Sequence, residues 1–72
     1  MNTQQKLSVR QKVTLTVIKN FHALKGFPPS VRDISDQMGG ISPNAVQQHL
    51  NALARKGAIK REPRVARSIT IL

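Results

Sequence analysis

The chain has no cysteine, no tryptophan and no tyrosine, and only three acidic residues among 72. Without cysteine there is no disulfide framework, no thiolate zinc site and no thiol nucleophile, and a reducing compartment is the natural setting. Phe21 and Phe27 are the only aromatic side chains, and both sit in apolar contexts. No platform therefore exists on which single-stranded bases could stack. Long apolar runs are also missing, so neither a signal peptide nor a membrane-spanning helix is expected. A chain this short is expected to form a single domain over 1–72, burying only about 60% of the surface its unfolded form exposes.

What the chain has in excess is positive charge. Twelve Lys and Arg face only Asp33, Asp36 and Glu62, a formal net charge of +9. An imbalance of this size concerns partners rather than fold, and a polyanion is the obvious one. Half of the twelve cations (Arg55, Lys56, Lys60, Arg61, Arg64 and Arg67) lie between positions 55 and 67. That clustering is a footprint more than a diffuse solubilising charge. With stacking platforms absent, the footprint favours duplex over single strand.

Local signals divide the chain into three helices and a hairpin. Residues 1–7 lack periodicity and are expected to form a flexible arm. Ser8 with Gln11 forms a capping-box pattern, and a helix over about 9–25 follows, with Val13, Val17, Phe21, Leu24, Leu15 and Ile18 expected inward. Gly26 and then Pro28-Pro29 end it. Ser30 with Asp33 repeats the device, which predicts a second helix over about 31–38 with Val31, Ile34 and Met38 inward. Gly39-Gly40 stops that helix. Ser42 then caps a third, Pro43 takes its first turn, and the pattern runs over 43–56 until Gly57. Two helices joined by a glycine-containing turn of about three or four residues form a helix-turn-helix pattern. Beyond Gly57 the periodicity changes, and strands over about 58–62 and 67–72 are expected, with Pro63 confined to the turn or an edge. The expected class is α+β, mainly α: a three-helix winged helix-turn-helix with a C-terminal β-hairpin wing.

The third helix carries the chemistry. At about 100° per residue, Val46, Leu50 and Leu53 share one side with Ala54 beside them. Asn44, Gln48, Asn51 and Arg55 fall within an arc of about 60° on the other, with Gln47 on one flank and Ala45 and Ala52 on the other. Asn and Gln can pair bidentately with adenine in the major groove, alanine methyls can meet a thymine methyl, and carboxylates would mostly repel the duplex. The N–H groups under Ser42 suit a phosphate. The bland alternative is an ordinary solvent-facing row of amides, outweighed by the capped helix pair and basic hairpin beside it. Arg61, Arg64 and Arg67 read likewise as a wing gripping phosphates or reaching into the minor groove, in preference to a solvated turn. His22 and His49 sit on different helices without acidic neighbours, so no metal site is expected. Asp33 is explained by capping, and no serine or lysine stands beside a base. Neither an enzyme, a cofactor nor a small-molecule ligand is expected.

The stretch GFPPSVRDISDQMGGISPNAVQQHLNALARKGAIKREPRVARSITIL, extended upstream through Ser8-Val9-Arg10-Gln11, resembles the DNA-binding domain of the LexA repressor family. The most specific pieces are Gly26 to Pro29, Ser42-Pro43-Asn44-Ala45, His49-Leu50, Ala52 to Gly57, and Ser68 to Leu72. The resemblance implies base contacts at Ser42, Asn44, Ala45, Gln47 and Gln48, to which the projection adds Asn51, with Arg55, Lys56, Arg61, Arg64 and Arg67 as backbone or wing cations. It implies double-stranded DNA as partner and the cytoplasm of a bacterium, or of one carrying a phage or mobile element, as the setting. Enterobacterial members carry an acidic pair where this chain has Gln47 and Gln48, and some carry a basic residue where it has Ile41, so a different operator is expected. The sequence stops where the family's self-cleaving serine-lysine domain would begin. Either an excised domain or a small regulator without autoproteolysis is expected, and a homodimer on a two-half-site operator is left open.

The leading expectation is a sequence-specific duplex DNA-binding transcriptional repressor. The competing one is an interaction protein of the same fold that binds another regulator. A membrane-surface peptide fits less well, because the cations gather on the hairpin rather than opposite a continuous apolar face.

Overall fold

A computed structural model of the chain describes residues 7–62, 65 and 67–72. The expected arm lies outside these residues apart from Leu7, which packs against the core. Pro63 and Arg64 of the expected hairpin tip also lie outside them. The element order is α1 (Val9–Lys25), α2 (Val31–Gln37), α3 (Pro43–Arg55), β1 (Ile59–Lys60) and β2 (Thr70–Ile71).

Every helix start is set by a serine. The Ser8 hydroxyl accepts from the Gln11 N–H at 3.1 Å while the Gln11 side chain accepts from the Ser8 N–H at 3.0 Å. Ser30 and Asp33 exchange the same two bonds at 3.1 and 3.0 Å. The Ser42 hydroxyl accepts from the Ala45 N–H at 3.1 Å, with Pro43 following it. Each arrangement satisfies donors that a helix start otherwise leaves orphaned. At the far end of α1, Gly26 adopts φ 84° and its N–H donates to the His22 carbonyl at 2.8 Å. That left-handed position is one an L side chain takes only with strain.

The turn between α2 and α3 runs from Met38 to Ser42 and depends on one buried serine. Gly39 and Gly40 both have positive φ, and the Gly40 N–H returns to the Ser35 carbonyl at 2.8 Å. The Ser35 hydroxyl donates to the Ile41 carbonyl across the same turn. Ser35 is thus a buried polar group with its partners in place, as burial requires. It fixes the angle at which α3 leaves α2.

The core is built from Leu15, Ile18, Ile34, Val46, Leu50, Leu53, Ala58, Ile59 and Ile69. Helix α3 lies at its centre and touches α1, α2 and β1. On α1 the buried face differs from the expected one. Leu15 and Ile18 are buried together with Thr14, whereas Val13 is 43% and Leu24 80% exposed. Apolar residues occur all round α1, so their spacing does not single out a face. Thr14 is admitted because its hydroxyl donates to the Arg10 carbonyl at 2.8 Å and meets the Met38 sulfur at 3.4 Å.

The hairpin is antiparallel, with Ile59 opposite Ile71 and Lys60 opposite Thr70. The strands expected over 58–62 and 67–72 pair only over these short lengths. Beyond Lys60, the Ser68 hydroxyl accepts from the Glu62 N–H at 3.0 Å and donates to the Glu62 carbonyl at 3.1 Å. A side chain has taken the place of the backbone ladder there. Arg67 then leaves the β region altogether, with φ 57°. No helix among the described residues is long and apolar enough to cross a membrane.

Candidate nucleic-acid interface

Helix α3 buries Val46, Leu50 and Leu53 and turns Asn44, Gln48, Asn51 and Arg55 to solvent. Gln47 and Ala45 are half-buried at the edges of that exposed row. Ala52, expected on the outer flank, is instead 7% exposed. Ser42 stands exposed at the start of the same face. Its hydroxyl oxygen is used as an acceptor by the cap, which leaves its O–H hydrogen able to donate outward. From Ser42 to Arg55 the exposed row contains no carboxylate.

Two of the expected backbone cations are committed to protein partners. Lys56 Nζ donates to Gln11 Oε1 at 2.8 Å, which ties the end of α3 to the capping box of α1. Arg67 does not project from a wing tip. Its Nη1 lies 2.8 Å from Asp33 Oδ2 and 3.1 Å from the Pro28 carbonyl, and its guanidinium sits 4.7 Å from the Phe27 ring centre and 5.9 Å from that of Phe21. The two rings meet edge to face, 5.8 Å apart. Arg67 is therefore a clasp that pins the returning strand to the corner between α1 and α2. A planar guanidinium can pair and stack at once, which a lysine cannot do equally well. The left-handed backbone at Arg67 costs on the order of 1–3 kcal/mol, a strain that persists only where surrounding contacts impose it. The clasp is that imposition.

Asp33 is the acidic half of the clasp. The Ser30 backbone N–H holds its carboxyl below the ordinary value of 3.8, assisted by the Ser30 hydroxyl and by the Arg67 charge, against the opposing effect of desolvation. A carboxyl with a depressed folded value stabilises the fold above its unfolded value and loses that contribution as pH falls through the folded one. Acid should therefore loosen the clasp below about pH 3.8, and not in the neutral range. Arg67→Ala should lower stability at neutral pH by about 0.5–1 kcal/mol from the lost ring contacts alone, and it should blunt the acid transition. Arg67→Gly relieves the backbone while removing the same clasp, so it should lose less than Arg67→Ala. Urea denaturation of the three proteins as a function of pH reads all of this, and an alanine variant indistinguishable from the parent at every pH would remove the clasp from the account.

Arg61 is half-buried at the root of the hairpin, and its Nη1 is shielded from solvent without a hydrogen-bond partner among the described residues. It lines a cleft of about 340 Å³ that also includes Ser30, Arg32, Gln47 and Arg67. Arg32 carries no sequence signal beyond its charge; only the fold brings α2 beside the hairpin. Arg64, the remaining expected wing cation, lies outside the described residues. No cluster of potential metal ligands occurs among the described residues.

Three helices with a glycine turn between the second and third, closed by an antiparallel hairpin, define a winged helix-turn-helix. This is an architecture that presents one helix to the major groove. The chain belongs to the LexA DNA-binding domain family, whose description matches residues 4–68. The LexA repressor of Pseudomonas aeruginosa is 48% identical over 67 residues, covering 93% of this chain and 33% of that protein. LexA repressor 1 of Pseudomonas putida is 47% identical over 66 residues, and the LexA repressor of Saccharophagus degradans 44% over 66, each covering 92% of this chain and 33% of the relative. The chain spans about a third of the length of these curated relatives.

Proposed function

We propose that the chain is a sequence-specific duplex DNA-binding module of a transcriptional repressor, acting by binding rather than by catalysis. The observation that carries this reading is the exposed, carboxylate-free row on α3, from Ser42 through Asn44, Gln48 and Asn51 to Arg55, held outward by a fully buried opposite stripe. Ser42, Asn44, Ala45, Gln47, Gln48 and Asn51 read base edges, and Arg55, Arg61 and Arg64 hold phosphates. Lys56 and Arg67 serve mainly to fix α3 and the hairpin in relation to α1. The relatives are bacterial repressors, which supports regulation of transcription in a bacterial cytoplasm. A module of this size reads one half-site, and two copies on a symmetric operator supply the specificity that regulation needs.

The experiment is a selection of bound duplexes from a random pool at physiological salt. The expected outcome is an enriched half-site of a few base pairs, recovered as a pair at a fixed spacing of about one helical turn or a multiple of it. Recovery of a single unpaired half-site would retain sequence reading and remove the two-copy arrangement. Recovery of the input pool unchanged would leave only a non-specific basic surface.

A further inference from the structure

The cleft between α2, α3 and the hairpin root gathers positive charge that is only partly neutralised among the described residues. Of the arginines lining it, Arg67 is matched by Asp33. Arg32 and Arg61 have no ion pair among the described residues, and no carboxylate lines the cleft. Arg61 also holds a nitrogen shielded from solvent with no acceptor among the described residues. That nitrogen is closed to a ligand as the side chain stands, so an anion in the cleft meets Arg61 through the part of the residue that lines it, and forked guanidinium donors suit phosphate oxygens. Gln47 borders the same cleft from α3. A group seated there lies beside the helix that would read base edges, where the sugar-phosphate backbone bounding a major groove would run.

We infer that this cleft is the seat of a single DNA phosphodiester, held jointly by Arg61 from the hairpin root and Arg32 from α2 at the border where Gln47 meets the groove. The inference rests on the duplex-binding reading above and deepens it. The seat couples the wing to the register of α3, because one phosphate is held by both elements and its position fixes how far Gln47 advances towards the bases. Arg67 serves it indirectly, by holding the hairpin against the α1–α2 corner, where Arg61 and Arg32 line the same cleft. Phosphate contacts position a protein on the duplex without reading its sequence. The seat therefore acts on every duplex alike.

The test measures affinity against salt for the full chain and for Arg32→Gln, Arg61→Gln, the double variant and Lys19→Gln, which removes an exposed charge from α1 away from the cleft. Each is titrated on a selected duplex and on a random one, with thermal melting recorded alongside. One neutralised phosphate contributes about 0.9 to the slope of log affinity against log salt. The double variant should lose about 0.9 on both duplexes, each single variant should lose most of that, and Lys19→Gln should lose much less. Unchanged slopes, or equal losses for Lys19→Gln, would overturn the seat. A double variant that loses about 1.8 would also overturn it, since that is two separate phosphates. If Arg61→Gln unfolds, the exposed Arg32→Gln still decides. Displacement of duplex by millimolar inorganic phosphate that depends on Arg61, with salt slopes unchanged, would make the cleft a site for the free anion and sink the backbone assignment. Because random duplex is included, failure to select an operator counts against sequence reading, whereas unchanged slopes count against the seat alone.

Discussion

Leu50→Ala is expected to destabilise the protein by about 2–5 kcal/mol, and through that loss to abolish DNA binding at ambient temperature without touching the reading face. Leu50 is completely buried in the middle of α3, the helix that touches α1, α2 and β1. Truncation there removes the side chain's transfer free energy and leaves a cavity in the core, whose surroundings relax only partially. Small domains have total stabilities near the lower end of about 5–15 kcal/mol, so such a loss is a large share of the whole. Urea denaturation by circular dichroism measures it directly. The same preparation, cooled or stabilised with an osmolyte until folded, should recover duplex affinity, because Asn44, Gln48 and Asn51 point away from the cavity. A variant within about 0.5 kcal/mol of the parent, the range usual for a surface substitution, would mean that α3 is not the centre of the core. A variant that folds normally but binds no duplex would mean that the two faces of α3 are not independent.

That independence explains what was legible in the sequence. The serine caps at 8, 30 and 42 and the glycines after each helix are local signals, because the bonds they make span only a few residues; each marked a boundary the structure places within a residue or so. Helix α3 segregates its residues sharply, so Val46, Leu50 and Leu53 could be assigned to the core from spacing. Helix α1 does not: the spacing of its apolar residues points Val13 and Leu24 inward and gives no sign of Thr14, whereas Thr14 is buried and both of the others are exposed. Thr14 is buried by virtue of a bond to its own helix at Arg10, together with a contact to Met38 far along the chain, and the second of these has no local signature. Ser35 is similar, since its acceptor is created by the turn it stabilises.

The candidate site shows the same division. A row of amides on one face of α3 follows from helical geometry alone. The fates of the cations do not. Lys56, Arg61 and Arg67 look equivalent as members of one basic run, yet one binds Gln11, one lines a cleft with a shielded nitrogen, and one stacks on Phe27 and pairs with Asp33. Charge density reveals that a polyanion is wanted. Only tertiary packing separates Lys56 and Arg67, which have partners within the fold, from the rest of the basic run.

The exposed amides should separate from the exposed cation when binding is measured on the selected duplex and on its single-base variants. Gln48→Ala and Asn44→Ala are each expected to cost about 1–3 kcal/mol of discrimination at particular base pairs, whereas Arg55→Gln should weaken all sequences alike and lower the salt slope by about one unit. An amide offers a donor and an acceptor side by side, which matches adenine N6 and N7, while a guanidinium at the end of the row has only charge and donors to offer a phosphate. Gln48→Glu sharpens the test, since it keeps the shape and removes the donors. A carboxylate can only accept, so the variant should turn away from adenine towards a base that presents an exocyclic amine without a neighbouring acceptor, which is cytosine. Overall affinity should fall at the same time, because the new charge faces the phosphates of the groove. Competition binding against the four base-pair variants at each half-site position reads both effects. If Gln48→Ala, Asn44→Ala and Arg55→Gln all lose affinity equally on operator and random duplex, then α3 contacts only the backbone, and the row of amides has no part in choosing the site.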